Sequence, residues 1–238
     1  MRLMKWAPVC LMLLLSSCAG FKAEITPQDF PVHGIDISRY QGNIDWQEAR
    51  RGNVAFAWIK ATEGGDYADP MFLQHWMAAS AAGVPRGAYH FYYFCRTAEE
   101  QARWFMENVP VDPSALPPVL DMEWNGHSKT CRRQPSKEHI WMEMAKFLAI
   151  IERHYGKKPV IYTTVDFHEQ ILDGKFDSYP FWIRSVAAPP HVRYPTRRWT
   201  FWQYTAEGRV PGIKGNVDRN AFAGDRNDWY AFVNGPQS

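Results

Sequence analysis

Short runs rich in β-branched and aromatic residues alternate along this chain with longer amphipathic stretches, and that alternation leaves few folds open to it. Eight runs read as strands: Gly34–Ser38, Phe56–Thr62, Gly87–Tyr93, Pro118–Trp124, Pro159–Thr164, Phe181–Val186, Thr200–Thr205 and about 216–220. Five helices are expected between the first six strands. Asp45 with Glu48, Thr97 with Glu100 and Asp166 with Glu169 have capping-box spacing. Asp69-Pro70 offers a cap followed by proline at the first helical position, and Gly83 closes that helix. The longest helix is expected from Ser136 to Gly156, with Ile140, Met144, Phe147, Leu148, Ile151 and Tyr155 along one buried face. Strand–helix alternation implies parallel pairing through right-handed crossovers. Eight strands are enough to close a small barrel around its own side chains. The expected fold is therefore α/β: a barrel of eight strands with about five helices, its last strands joined without helices.

The N-terminus reads as an export signal. Arg2 and Lys5 precede an apolar run through Leu15 that is too short for an ordinary transmembrane helix. The run ends in Leu15-Ser16-Ser17-Cys18, which resembles a bacterial lipobox. Residues 1–17 are then a lipoprotein signal peptide, 18–31 a tether after lipidated Cys18, and 32–234 the barrel domain. A plain signal with an incidental cysteine is the alternative. The protein is expected to be exported and held on a membrane by its lipid, facing the periplasm or cell surface. Ala19 after Cys18 favours the outer membrane if the source is Gram-negative.

Losing Arg2 and Lys5 with the signal leaves 25 basic against 25 acidic residues. A nearly neutral chain without a basic stripe gives no reason to expect nucleic-acid binding, and a monomer is expected. Export also frames the cysteines. With Cys10 removed and Cys18 lipidated, Cys95 and Cys131 remain, following the third and fourth strands on the same face of the barrel. They are a possible disulfide, with two free thiols as the alternative.

In α/β barrels, active sites lie at the C-terminal ends of the strands. Asp36 sits in the first strand, Asp121 and Glu123 end the fourth, and Asp218 sits in the last. Residues two apart on a strand face the same way, so Asp121 and Glu123 share a side. A lone pair of this kind is readily explained by a cap and a salt bridge. Four acids from three strands at one barrel mouth point instead to catalysis. Crowded carboxylates raise at least one pKa, keeping a general acid protonated near neutrality, as glycoside hydrolysis requires. Eleven Trp, eleven Tyr and fourteen Phe could fill a core or stack on sugars. No G-x-S-x-G elbow and no H-x-x-x-H pair occurs. Lys60–Gly64 lacks the glycine spacing of a phosphate loop. His90 could line the mouth or be a satisfied barrel histidine.

These residues resemble glycoside hydrolase family 25, the lysozymes of the N,O-diacetylmuramidase type, over about residues 32–232. The likeness rests on Gly34–Ser38 with Tyr40-Gln41-Gly42 and Ile44-Asp45-Trp46, then on Phe56–Gly64, Asp69 and Gly87–Phe91. It continues through Val119–Glu123, Ile161-Tyr162-Thr163, Trp202-Gln203-Tyr204 and Val217–Asn220. The resemblance implies a modified TIM-like barrel that cleaves between N-acetylmuramic acid and N-acetylglucosamine in peptidoglycan, without metal or cofactor. It implies that Glu123 is the general acid/base and that Asp121 assists the substrate's own N-acetyl group. Asp36 and Asp218 would bind sugar, with Tyr89, Tyr162, Trp202 and Tyr204 as candidates for sugar contact. Three places depart from the family pattern. Arg184 replaces a small residue in Trp182-Ile183-Arg184-Ser185-Val186, Arg219 replaces an apolar residue, and the loop 125–134 is basic. Arg184 and the basic loop keep a second reading open, a surface-anchored glycan-binding protein with weak or no turnover. Action on another N-acetylated polysaccharide such as chitin is a third.

Overall fold

The computed structural model describes residues 24–235. The expected signal peptide, Cys18 and the first part of the tether lie outside the described residues. The strands are β1 (His33–Ile37), β2 (Phe56–Glu63), β3 (Tyr67–Ala68), β4 (Arg86–Phe91), β5 (Val119–Met122), β6 (Val160–Thr163), β7 (Phe181–Arg184), β8 (Phe201–Gly208) and β9 (Val217–Phe222). Eight of them close into a barrel in the order β1-β2-β4-β5-β6-β7-β8-β9, with β9 returning to β1. Neighbours from β1 through β8 are parallel, whereas β9 runs antiparallel to both β8 and β1. β3 pairs only with β2 and stays outside the barrel.

The five crossovers between the first six barrel strands carry helices, as expected: α1 (Trp46–Arg51), α2 (Phe72–Ala81), α3 (Ala98–Asn108), α4 (Lys137–Tyr155) and α5 (Val165–Phe167). Asp45 caps α1 by accepting from the Glu48 amide at 3.0 Å. Thr97 and Glu100 cap α3 reciprocally. Ser136 starts α4, and Gly156 ends it in a left-handed conformation (φ 65°). Two expected starts differ. Asp69 does not open α2: its carboxylate accepts from the Met71 and Arg39 amides, pinning the turn ahead of the helix to the loop after β1. Asp166 does not cap α5 either. It accepts from the Thr164 hydroxyl, and the helix widens after one turn into a π turn at His168–Leu172.

Two further helices complete the described fold. α6 (Pro190–Arg193) is a single turn between β7 and β8, so only β8 and β9 are joined without one. α7 (Arg226–Asn234) follows β9, opened by Asp225 with Asp228 in a reciprocal cap. Its Trp229 and Phe232 close the N-terminal end of the barrel against Phe56, Phe201 and Phe222, with ring centroids 5.1–5.6 Å apart. The expected tether is also partly structured. Residues 27–29 form a capped turn, and Phe30 packs edge-on against Trp199 and Trp202.

Strand alternation sorts the side chains into two cores. Ile35, Ile37, Ile59, Leu120, Met122, Ile161 and Ile183 face out into the layer shared with the helices. Phe56, Trp58, Val119, Val160, Tyr162, Trp182, Phe201 and Phe222 fill the interior. Two glycines make room for that aromatic filling. A Cβ on Gly34 would lie 2.4 Å from the Phe56 ring, and one on Gly87 2.1 Å from Trp58, so only glycine fits beside either ring. Among the described residues no helix is long and apolar enough to cross a membrane.

Candidate active site

Above the aromatic layers, the inward positions turn polar. Asp36, Tyr89, Asp121, Glu123, Tyr162, Thr164, Trp182, Arg184, Gln203 and Asp218 line a cleft of about 350 Å³ at the C-terminal mouth. Strand direction decides which residue of each strand reaches it. Asp36 and Arg184 lie at or near the ends of parallel strands, and Glu123 lies one residue past β5. Asp218 stands near the beginning of β9, and because β9 runs the other way it is the register partner of Asp36.

Asp36 is held by a chain of hydrogen bonds. Its Oδ2 accepts from Gln203 Nε2 at 2.9 Å and from Asn220 Nδ2 at 2.8 Å. The Tyr162 hydroxyl donates to Gln203 Oε1 at 2.9 Å, and Trp182 Nε1 donates to Asn220 Oδ1 at 2.7 Å. Each amide therefore has its orientation fixed from both ends. Burial, and next the Asp218 carboxylate, push Asp36 up to about 8 against the pull of these donors and of Arg184. Burial also raises Asp218, with Arg184 opposing.

The opposite side is bare. No side chain donates to Asp121 or Glu123 among the described residues, and Asp121 Oδ1 is enclosed without any partner. Burial, then the neighbouring Glu123, raise Asp121 well above the usual carboxylate range. Burial lifts Glu123 to about 7, opposed first by Arg184. Two acids in this setting do not both ionise readily, so near neutrality the pair retains a proton available for transfer.

Of the aromatic residues expected to touch sugar, Tyr89 and Tyr162 line the cleft, but Trp202 and Tyr204 do not. Gln203 faces inward, so its neighbours on either side face outward. Trp202 donates to the Ser185 carbonyl at 2.8 Å, and Tyr204 packs on His33. Sequence reasoning chose the aromatics of Trp202-Gln203-Tyr204 and missed the functional residue between them. It missed Asn220 and Trp182 in the same way. The usable signal was the two-residue period, which puts Gln203 on the face of Phe201 and Asn220 on the face of Asp218. His90 is a satisfied barrel histidine: Thr62 and Gln101 contact its two ring nitrogens at 2.7 and 3.1 Å, and burial lowers it to about 4. Arg219 lies partly buried on the outer face near Tyr204 and Gly208. Cys95, after β4, is bonded to Cys131 in the loop after β5, with Cα atoms 5.8 Å apart.

A parallel-rich barrel with four carboxyls at its C-terminal mouth, two of them pushed up to about 7 and about 8 and a third with an unpartnered oxygen, has the frame of a glycoside hydrolase. The family model for glycosyl hydrolases family 25 matches residues 35–213, and the chain belongs to that family. It is 38% identical over 217 residues to the uncharacterized protein YegX of Escherichia coli O157:H7, covering 88% of this chain and 76% of that one. It is 37% identical to lysozyme M1 of Streptomyces globisporus, covering 85% and 71%. Among solved structures, a family 25 glycosyl hydrolase from Bacillus anthracis superposes with a TM-score of 0.80 at 35% identity, covering 87% of this chain and 95% of that one.

Proposed function

We propose that this enzyme is a muramidase, cleaving the β-1,4 bond between N-acetylmuramic acid and N-acetylglucosamine in peptidoglycan. The observation that carries this reading is the bare acid pair. Asp121 Oδ1 is a buried acceptor with no donor, and burial pushes Glu123 beside it up to about 7. An N-acetylated sugar supplies what both lack. Its amide N–H gives Asp121 a hydrogen bond, which turns the acetyl oxygen towards the anomeric carbon. Glu123 donates its proton to the leaving glycosidic oxygen as that bond breaks and the acetyl oxygen bonds to the carbon. Water then enters at the anomeric carbon, giving its proton back to Glu123 as the oxazoline ring opens. Asp36 and Asp218 bind sugar and set the field of the pair, and Tyr89 and Tyr162 provide contact surface. No step calls on a metal or cofactor.

The N-terminal reading extends the proposal to place. Residues 1–17 direct export, Cys18 carries lipid, and residues 18–31 link it to a monomeric domain at 32–234. The enzyme then works from a membrane surface on the wall outside the cytoplasm, at the outer membrane if the source is Gram-negative. All four acids facing one cleft argue against a binding protein that has lost turnover.

Purified peptidoglycan digested with this enzyme should yield new reducing ends of muramic acid by mass spectrometry. Reducing ends of glucosamine alone, or cleavage of chitin in preference to peptidoglycan, would overturn the assignment of the bond.

A further inference from the structure

Arg184 is the one cation among the residues lining the cleft. It ends β7 beside Gln203, its register partner on β8. Its backbone carbonyl is tied down by the Tyr194 hydroxyl at 2.8 Å, which fixes the strand end that carries it. Its guanidinium makes no ion pair and no side-chain hydrogen bond among the described residues. Arg197, in the segment between β7 and β8, instead spends its donors on His168, Asp177 and the Leu172 carbonyl. Thr164 and Arg184 also line a second, adjoining depression with Val165, Asp166, Glu169 and Arg193. Arg184 therefore stands at the junction between the acid cleft and a side pocket.

A guanidinium carries five donors in a planar fork that matches a carboxylate bidentately. Balancing the acid cluster uses its charge, but it leaves those donors unfilled. Resting on the muramidase reading, we propose that Arg184 is a specificity-determining residue that binds a carboxylate carried by the muramoyl residue of the substrate. Muramic acid differs from glucosamine by its 3-O-lactyl ether, a branch that leaves the sugar ring sideways. That branch ends in a free carboxylate on strands stripped of peptide. On intact strands it continues into a stem peptide with carboxylates of its own. The side pocket beside Arg184, lined by Arg193 as well as by Asp166 and Glu169, gives such a branch somewhere to go, with the two guanidiniums as its cations.

The test measures binding and turnover separately, using three soluble glycan fragments of equal length. One bears stem peptides, one is stripped to free lactyl carboxylates, and one is stripped with those carboxylates capped as neutral methylamides. Calorimetric affinity in a Glu123→Gln background needs no turnover, so it reads the inference even if the muramidase reading fails. There the protein should bind an anionic fragment about tenfold more tightly than the capped one, and Arg184→Ala should erase that preference. In the active enzyme, Arg184→Ala should raise KM about tenfold on the anionic fragment and far less on the capped one, and Arg184→Lys should recover part of that selective loss. A loss confined to stripped strands identifies the lactyl carboxylate, and one confined to peptide-bearing strands identifies the stem. Equal affinity for anionic and capped fragments, or an equal Arg184→Ala loss on all three, would reduce Arg184 to a charge balancer and overturn the proposal. Absence of cleavage of every fragment by the wild type would instead sink the muramidase reading.

Discussion

The two walls of the cleft are built from the same residue types and treated in opposite ways. On the β1–β9 wall, Asp36 is buried and receives two amide donors, each oriented by a further hydrogen bond. On the β5 wall, Asp121 is as deeply buried, yet one of its oxygens has no partner. An unpaired buried acceptor costs free energy that folding alone gives no reason to retain. On the proposed mechanism, the held wall fixes Asp36 in place, and the bare wall leaves Asp121 open to a donor that arrives with the substrate. Strain of this kind at a reactive pair, supported by a fully satisfied neighbour, is how a stable barrel can keep a proton ready at neutral pH.

Mutations on the two walls should separate activity from stability. After Glu123 itself, the largest effect is expected from Asp121→Asn, which in the proposed mechanism weakens the acceptor for the substrate's amide N–H. It should lower kcat by about 10²–10³-fold without lowering the melting temperature, read from peptidoglycan turnover and a thermal melt. A destabilised but active variant would erase the distinction between the walls. Next, reducing Cys95–Cys131 should cost about 3–4 kcal/mol in the chain-entropy model for a 36-residue separation. Urea midpoints with and without reductant measure this, and coincident curves would contradict it.

On the held wall, Asn220→Ala deletes the bonds to Asp36 and Trp182 together. It should lower stability by about 1–3 kcal/mol while reducing kcat much less than Asp121→Asn does. The comparison also predicts a tilt of stability with pH. Native Glu123 and Asp36 keep their protons up to about 7 and about 8, whereas unfolded carboxyls lose theirs near 4. The native state thus binds more protons across that interval. Its stability is fully present below the unfolded values and declines as pH rises towards 8. Melting temperatures from pH 5 to 8 should fall, and Asp36→Asn should flatten the fall. A rise across the same window would mean that the carboxyls are stabilised by ionisation.

Much of this was legible in the sequence because strand and helix periods are written in the spacing of apolar residues. The five helical crossovers, Asp45 and Thr97 as caps, and Asp36, Asp121, Glu123 and Asp218 at one mouth all follow from such spacing. What escaped depended on partners distant in the chain. Asp69 resembles a cap, but the Arg39 amide recruits it to a tertiary contact. Nothing near residues 226–234 says that Trp229 and Phe232 face the barrel floor, because that floor is assembled from β2, β8 and β9. Trp202 and Tyr204 were over-read because aromatic rings suggest sugar. Alternation along β8 gives the cleft to Gln203 instead.

The most direct measurement is kcat/KM on purified peptidoglycan for wild type and Glu123→Gln, with folding verified by circular dichroism. Glutamine keeps the shape of Glu123 but has no proton to give, so turnover should fall by about 10²–10⁴-fold while the fold and wall binding persist. Glu123→Gln turning over peptidoglycan at close to the wild-type rate would contradict the bare wall as the seat of the chemistry.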